Sequence, residues 1–202
     1  MPRCIPPPTM PLMEPSRKRG TITVVQGSMF AGKTERLIAF LREAQKSGRR
    51  VRAFKHAIDN RYDATHLVTH RNDSFPAIAV RDVEAILLQC EEIDCLAVDE
   101  GQFFGEALVD AVVKMRSAGK FIIIAGISHD AWGRPFDPMP QLSAVADAVE
   151  VKQSPCKICR KPAPYTQRMV PVTTPTMVGG LGDYEPRCAE HFTPLAGEPE
   201  QR

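Results

Sequence analysis

The sequence lacks a long hydrophobic run. Its longest wholly apolar stretch lies near "FIIIA" at residues 121–125, far below the roughly 18 residues that suggest a bilayer span. Residues 1–20 also lack the continuous apolar segment of a secretory signal, and their prolines oppose a helix. We therefore predict a cytoplasmic protein with no membrane partner and with a disordered tail over residues 1–19.

An excess of charge of one sign is missing as well. The chain has 26 Lys and Arg against 24 Asp and Glu, interspersed, for a formal net charge of +2. This balance gives no electrostatic case for a nucleic-acid or membrane-surface partner, so we expect a small-molecule partner and no nucleic acid. With 202 residues and no internal repeat, the chain suits one compact domain with a small appendage.

Strand-like and helix-like segments alternate through the first three quarters of the chain. A β-branched run at residues 21–25 precedes a helical pattern over residues 33–46. The later segments alternate in the same way: "RRVRAF" (strand), "VEAILLQ" (helix), "CLAVD" (strand), "EALVDAVVKMRSA" (helix), "FIIIAG" (strand) and "AVEVKQ" (strand). This alternation predicts an α/β fold with a parallel sheet flanked by helices.

A glycine-rich stretch between the first strand and the first helix fits the phosphate-loop pattern G-x-x-x-x-G-K-[ST]. Its predicted nucleotide-binding residues are Gly27, Ser28, Met29, Phe30, Ala31, Gly32, Lys33 and Thr34. In such a loop the backbone N–H groups converge on phosphate oxygens at a helix N-terminus. Lys33 would then reach the β and γ phosphates of ATP, and Thr34 would ligate Mg²⁺.

Two acidic residues, Asp99 and Glu100, follow the buried strand "CLAVD". Ligands of open α/β sheets bind at this edge, so Asp99 fits the role of holding Mg²⁺. Glu100 would orient water in an ATPase, or accept the proton of a substrate hydroxyl in a kinase, and periodicity does not choose between the two. The alternative is that these acids cap the following helix.

Four possible metal ligands occur in two pairs near the C-terminus. They are Cys156 and Cys159 in a C-x-x-C pair, and Cys188 and His191 in a C-x-x-H pair. Three thiolates and an imidazole complete a closed tetrahedral shell for Zn²⁺, which makes the ion structural, whereas the alternative is incidental loop cysteines. We predict an ATP-binding α/β domain at 20–153, a zinc-binding lasso domain at 154–193 and a disordered tail at 194–202.

Four motifs, "GSMFAGKT", "DEGQFF", "APYTQR" and "GLGDYEPRCAEH", together resemble the zinc-containing (type II) thymidine kinases from about Thr21 to Phe192. The resemblance implies a P-loop NTPase-like fold and a homotetramer. It also implies an enzyme of nucleotide salvage for DNA synthesis, which transfers the γ-phosphate of ATP to the 5′-hydroxyl of thymidine to give dTMP.

The resemblance also implies roles for individual residues. Glu100 is the catalytic base, Arg61 steadies phosphoryl charge, and Gly101 and Gln102 continue the nucleotide site beside Glu100. The nucleoside residues implied are Phe103, Phe136, Thr166 and Tyr184. As alternatives, Arg61 is a solvated loop charge and Tyr184 is a packing residue.

One stretch departs from the family pattern. Members usually carry D-F-R-G-x-P-F where this chain reads "DAWGRPF", so Ala131 stands at the position of the expected aromatic residue and Trp132 follows it. We predict that Trp132 stacks on the base, the alternative being that it packs on the protein surface or a neighbouring subunit. Two other functions compete: a related deoxynucleoside kinase with altered base preference, and an ATPase whose zinc ribbon binds nucleic acid.

Overall fold

A computed structural model of the chain describes residues 19–59, 65–69, 72–171, 179 and 182–197. Most of the two predicted tails, residues 1–19 and 194–202, lies outside these ranges, and so does Arg61. Among the described residues, no helix combines the length and the apolar character that crossing a bilayer requires.

Most of the strands belong to one central sheet. In chain order the described strands are β1 (Thr21–Gly27), β2 (Val51–His56), β3 (His66–Val68), β4 (Ser74–Pro76), β5 (Ile78–Val80), β6 (Cys95–Asp99), β7 (Phe121–Ile127), β8 (Ala148–Lys152), β9 (Ser154–Pro155), β10 (Pro162–Ala163), β11 (Tyr165–Arg168) and β12 (Tyr184–Arg187). Six of them form a sheet of order β5-β2-β6-β7-β1-β8, with every adjacent pair parallel. The carboxyl ends of β1 and β6 therefore lie on the same edge, with β7 between them.

Helices cover both faces of this sheet. They are α1 (Lys33–Lys46), α2 (Val83–Leu87), α3 (Ala107–Ser117) and α4 (Met139–Val145), with a 3₁₀ helix at Gly101–Phe104. Helix α1 packs Leu37 and Leu41 into one apolar cluster, which also contains Ala97 of β6. The other three helices contribute to a cluster on the opposite face, which contains Val98. Successive residues of a strand point to opposite faces, so both clusters draw on the same strands.

The remaining strands form small antiparallel pairs. β3 pairs with β4, β9 with β10, and β11 with β12. The last two pairs belong to the C-terminal segment that carries the cysteines. Its buried apolar cluster consists of Cys156, Ala163 and Cys188, with Cys159 packed against it. So few buried side chains make a small core, which suits a unit that needs a metal for stability.

The predicted fold class is confirmed, and helix α1 has the predicted bounds. The sequence analysis missed the strands of the three small antiparallel pairs and the 3₁₀ helix, and it also missed strand β5 of the central sheet and helix α4. Strand β5 has only three residues, too few for a period-2 pattern to emerge. Helix α4 begins inside the proline-rich stretch "RPFDPMP", where the prolines argue against a helix, but proline is compatible with the first turn of a helix although it opposes the interior.

Candidate active site

The phosphate-loop sequence lies between the end of β1 and the start of α1. Gly27 ends the strand with its φ at 154°, and a Cβ there would lie 1.8 Å from the carbonyl oxygen of Lys152. Strand β8 therefore leaves no room for a side chain at Gly27. Phe30 and Gly32 both adopt left-handed backbone conformations, with φ of 64° and 76°. For Phe30 this costs about 1–3 kcal/mol, so the surrounding structure must hold the loop in this shape.

Lys33 folds back over the loop. Its Nζ donates a hydrogen bond to the carbonyl oxygen of Ser28 at 2.7 Å and a longer one to that of Gly27 at 3.4 Å. The ammonium group is thus held above the loop backbone, on the side where α1 begins. This placement puts a positive charge beside the N-terminus of α1, where anions are favoured.

Thr34 and Asp99 are in contact although 65 positions separate them in the sequence. Thr34 Oγ1 donates a hydrogen bond to Asp99 Oδ2 at 3.0 Å. Asp99 is 8% exposed, and burial, with the nearby Glu100 carboxylate as a second cause, raises its pKa to about 7. A hydroxyl and a carboxylate at this distance are two oxygen ligands of the kind that Mg²⁺ prefers, so these residues fit the ion.

Glu100 is held from two directions. Its own backbone is left-handed, with φ 54° and ψ 44°, and its N–H donates to Asp99 Oδ1 at 3.0 Å. Gln102 Nε2 donates to Glu100 Oε2 at 2.6 Å. Gln102 is itself buried, and its Oε1 accepts from the N–H of Ile127 at the end of β7 at 3.2 Å.

The alternative of a helix cap does not match this geometry. The Glu100 side chain makes no capping hydrogen bond to the 3₁₀ helix, and α3 begins only at Ala107. The strained backbone at Glu100 therefore aims its carboxylate at Gln102 and the cavity rather than at a helix N-terminus.

An open cavity joins the phosphate loop to the acidic residues. Its lining contains the loop from Met29 to Glu35, together with Asp99 and Glu100. The rest of the lining comes from Lys55 of β2, from Asp59 beyond that strand, from residues 66–69 of the β3–β4 hairpin, and from Ile127 at the end of β7. The structure thus brings together most of the predicted nucleotide residues in one concave site.

Lys55 is a lining residue that sequence reasoning missed. It is only 3% exposed and lies opposite Asp99 in the register of β2 and β6. Ala53, two residues earlier, belongs to the apolar cluster beneath α1, so Lys55 faces the same side of the sheet as the phosphate loop. Its position could have been predicted from the sequence, because Lys55 is a charged residue at the carboxyl end of a parallel strand. The same rule, that ligands bind at this edge of the sheet, identified Asp99.

Phe103 and Phe136 lie together beside the acidic residues. Their ring centroids are 6.2 Å apart with an edge-to-face arrangement, and His56 packs on Phe103 at 5.8 Å. Burial lowers the pKa of His56, so its imidazole favours the neutral form. The cluster follows Glu100 closely in the chain and gives an apolar wall, but none of its three rings is among the residues that line the cavity.

Trp132 stands apart from that wall. It lies in a tight turn whose shape is set by Asp130, because Asp130 Oδ1 accepts from the N–H groups of Trp132 and Arg134 at 2.9 and 3.0 Å. Phe192 packs against Gly133, next in the chain. Among the residues that the structure describes, no ring contact joins Trp132 to Phe103 or Phe136, and its indole N–H is buried with no hydrogen-bond partner.

Thr166 and Tyr184 lie on the paired strands β11 and β12. Thr166 Oγ1 accepts a hydrogen bond from the N–H of Met29 at 2.9 Å, so this residue contacts the phosphate loop directly. Tyr184 pairs with Arg168 and lies against Gly179. Within the predicted lasso domain at 154–193, residues 172–178, 180 and 181 are outside the described residues.

The four predicted metal ligands converge. One ligand atom from each of Cys156, Cys159, Cys188 and His191 lies within 4.8 Å of the others. The Sγ atoms of Cys159 and Cys188 are 3.5 Å apart, and His191 Nδ1 is 3.2 Å from Cys188 Sγ. Zn–S bonds of about 2.3 Å place tetrahedral ligands at such separations, so the cluster fits a closed zinc shell.

The parallel sheet, the phosphate loop and the cavity are those of a P-loop nucleotide-binding protein, here with a C-terminal unit that brings three cysteines and one histidine together. A family profile described as thymidine kinase matches residues 20–192. The chain therefore belongs to the thymidine kinase family, which confirms the predicted resemblance and the predicted kinase class.

Several curated bacterial proteins named thymidine kinase are similar to the chain. That of Rhodothermus sp. (strain ITI 518) is 41% identical over 175 residues, which span 87% of this chain and 82% of that protein. That of Bdellovibrio bacteriovorus is 39% identical over 182 residues, spanning 90% and 89%. That of Bacteroides thetaiotaomicron is 38% identical over 190 residues, spanning 94% and 96%.

Proposed function

We propose that the protein transfers the γ-phosphoryl group of ATP to the 5′-hydroxyl of thymidine, giving dTMP and ADP. The observation that carries this proposal is the convergence of the phosphate loop, Asp99 and Glu100 on one cavity. Family membership supplies the substrate class, because the similar proteins are named thymidine kinases. The product fits a role in nucleotide salvage for DNA synthesis.

ATP would bind with its phosphates on the loop at residues 27–34. The loop amides and the N-terminus of α1 would face the phosphate oxygens, and the Lys33 ammonium would move from the Ser28 carbonyl to the β and γ phosphates. Thr34 and Asp99 would hold Mg²⁺, which when bound neutralises phosphate charge. Gly101 and Gln102 would complete this side of the site.

Glu100 would act as the general base. Its carboxylate would take the proton from the 5′-hydroxyl as that oxygen forms a bond to the γ-phosphorus and the bond to the leaving ADP breaks. Gln102, anchored to Ile127, would keep the carboxylate pointed at the hydroxyl. Arg61, outside the described residues, remains a proposal from family resemblance for steadying phosphoryl charge.

The nucleoside would lie between the aromatic wall and the C-terminal unit. Phe103 and Phe136 would contact the base and sugar, while Thr166 and Tyr184 approach from β11 and β12. We keep Trp132 as a proposed stacking residue in place of the missing aromatic at Ala131. A base stacked on the indole would lie beside the turn that Asp130 shapes.

Cys156, Cys159, Cys188 and His191 would hold one structural Zn²⁺ in the proposed lasso domain at 154–193. Reduced thiolates are needed for such a site, which favours the cytoplasm as the compartment. We also propose a homotetramer, as the resemblance implies. In support, β8 is an edge strand of the sheet whose Val149 and Val151 are 43% and 60% exposed.

The experiment compares ATP turnover with and without thymidine and identifies the nucleotide product. We expect ADP and dTMP in equal amounts and little ATP hydrolysis without a nucleoside. Ala131 favours one alternative, a deoxynucleoside kinase of different base preference, and a nucleoside panel decides that question. ATP hydrolysis that DNA stimulates and thymidine leaves unchanged would instead establish the zinc-ribbon ATPase.

A further inference from the structure

Three hydrogen bonds tie the phosphate loop to the C-terminal unit. Met29 N–H donates to Thr166 Oγ1 at 2.9 Å, and Ser154 Oγ donates to the Met29 carbonyl oxygen at 3.2 Å. The third runs from Ser154 N–H to Ser28 Oγ at 3.4 Å. Both peptide groups that flank Met29 are therefore held by residues outside the loop.

We call these three hydrogen bonds the brace. The four residues that form it are all withdrawn from solvent. Ser28 is fully buried, and Met29, Ser154 and Thr166 are 7%, 4% and 5% exposed. A buried hydrogen bond does not compete with water, and breaking it leaves its partner unpaired at a cost. The brace is thus a fixed link between the phosphate loop and strands β9 and β11, rather than a surface contact.

The brace acts on the strained part of the loop. Phe30 follows Met29 and is left-handed, a conformation that persists only where neighbours enforce it. A peptide group is planar and trans, so its C=O and N–H point in opposite directions. When Ser154 fixes the Met29 carbonyl, it also fixes the direction of the Phe30 N–H in the stretch that lines the cavity.

We infer that Ser154 and Thr166 are positioning residues for phosphoryl transfer, which hold the phosphate loop in the shape that binds ATP. Neither side chain needs to touch ATP, because each acts through the backbone of Met29. Thr166 therefore serves the ATP side of the site, in addition to any contact with the nucleoside. This inference rests on the proposed function, since it assigns ATP to the loop.

This arrangement predicts a second role for the C-terminal unit. Ser154 lies two residues before Cys156, and Thr166 lies on β11, whose partner β12 runs into Cys188. A Zn²⁺ ion held by Cys156, Cys159, Cys188 and His191 would fix the ends of the same strands that carry the brace. The folded C-terminal unit would then stabilise the phosphate loop through the hydroxyl groups of Ser154 and Thr166.

Loss of one hydroxyl should weaken ATP binding without abolishing it. A loop that adopts its binding shape only part of the time has an apparent Kd raised by the inverse of that fraction. Thr166→Val keeps the size of the side chain but leaves the Met29 N–H buried and unpaired. We expect the Kd for MgATP to rise roughly tenfold, within the range that one unpaired buried amide can cause.

The test measures MgATP binding by calorimetry, in the absence of any nucleoside, for the full chain and four variants. Ser154→Ala and Thr166→Val should raise the Kd, whereas Thr166→Ser keeps the hydroxyl and should bind ATP as the unchanged protein does. The control is Ser117→Ala, which also removes a hydroxyl bond to a carbonyl, that of Val113 in α3, but an exposed one far from the phosphate loop in the sequence. At saturating ATP, the kcat of Ser154→Ala should fall by a much smaller factor than the factor by which its Kd for MgATP rises.

Two results would overturn the inference. One is an unchanged ATP Kd in both Ser154→Ala and Thr166→Val. The other is an ATP Kd that rises in Thr166→Ser as much as in Thr166→Val, because Thr166→Ser retains the hydroxyl and an equal rise would show that the loss does not depend on it. A lack of MgATP binding by the unchanged protein would contradict the proposed function itself, so the two failures are distinguishable.

Discussion

Gln102 joins the end of β7 to the carboxylate of Glu100. Its amide nitrogen donates to Glu100 Oε2 at 2.6 Å, and its amide oxygen accepts from the Ile127 N–H at 3.2 Å. A glutamine uses both ends of its amide here, which no carboxylate or aliphatic side chain could do. The candidate base is thus oriented through Gln102 by the end of strand β7.

Glu100→Gln should separate binding from chemistry. The amide retains the size of the side chain but does not accept a proton, so we expect kcat to fall by roughly 10²-fold or more. ATP affinity should change little, because the loop at residues 27–34 is untouched. Steady-state kinetics and ATP binding check this, with the exposed Glu106→Gln as the matched control. Normal turnover in Glu100→Gln would remove Glu100 from the reaction.

Gln102→Leu should lower kcat by roughly 10- to 100-fold, as expected when a catalytic group loses its orientation. The loss should disappear in the Glu100→Gln background, because there is no base left to orient. Comparing the single and double variants measures this, and the exposed Gln45→Leu on α1 serves as control. Equal losses in both backgrounds would mean that Gln102 acts independently of Glu100.

Lys33→Ala removes the charge held above the phosphate loop. Since that charge should stabilise the transferring phosphoryl group more than it stabilises bound ATP, we expect kcat to fall by roughly 10²- to 10³-fold. Lys46→Ala, at the exposed end of the same helix, should leave turnover unchanged. A folded Lys33→Ala variant with near-normal turnover would exclude the loop from the mechanism.

Zinc removal should unfold the C-terminal unit first. Binding free energy at a structural zinc site is also folding free energy, so a chelator should release about one ion per chain and lower the thermal stability. Cys156→Ser should do the same, whereas Cys4→Ser, outside the predicted ligand set, should not. Metal analysis and thermal unfolding provide the measurements, and full thymidine affinity in a zinc-free preparation would contradict the assignment.

Trp132→Ala tests the departure from the family pattern. If the indole stacks on the base, losing about 1–3 kcal/mol should raise the KM for thymidine roughly tenfold and leave the KM for ATP nearly unchanged. Trp132→Phe keeps a ring and should retain most of the affinity. An unchanged KM for thymidine would assign Trp132 to packing in the turn set by Asp130, where its backbone N–H is already held.

Spacing and periodicity along the sequence specify the fold class and the residues with the strongest chemical patterns. The phosphate loop at residues 27–34 and the four ligands at Cys156, Cys159, Cys188 and His191 depend on short spacings, which are local and visible in one dimension. Alternating strands and helices likewise determine the parallel sheet. Strand β5 was not predicted because three residues are too few to show a periodic pattern. Helix α4 was not predicted because proline can begin a helix as well as end one.

Which residues from distant parts of the chain meet depends on how the strands and helices pack. Lys55 faces the phosphate loop because β2 pairs in parallel with β6 and places it opposite Asp99, a register that no spacing encodes. Thr166, predicted from resemblance as a nucleoside contact, also bonds the backbone of Met29, 137 positions away. Hydrogen bonds between such partners depend on the packing of β9 and β11 against the loop, and packing is a property of the whole folded chain.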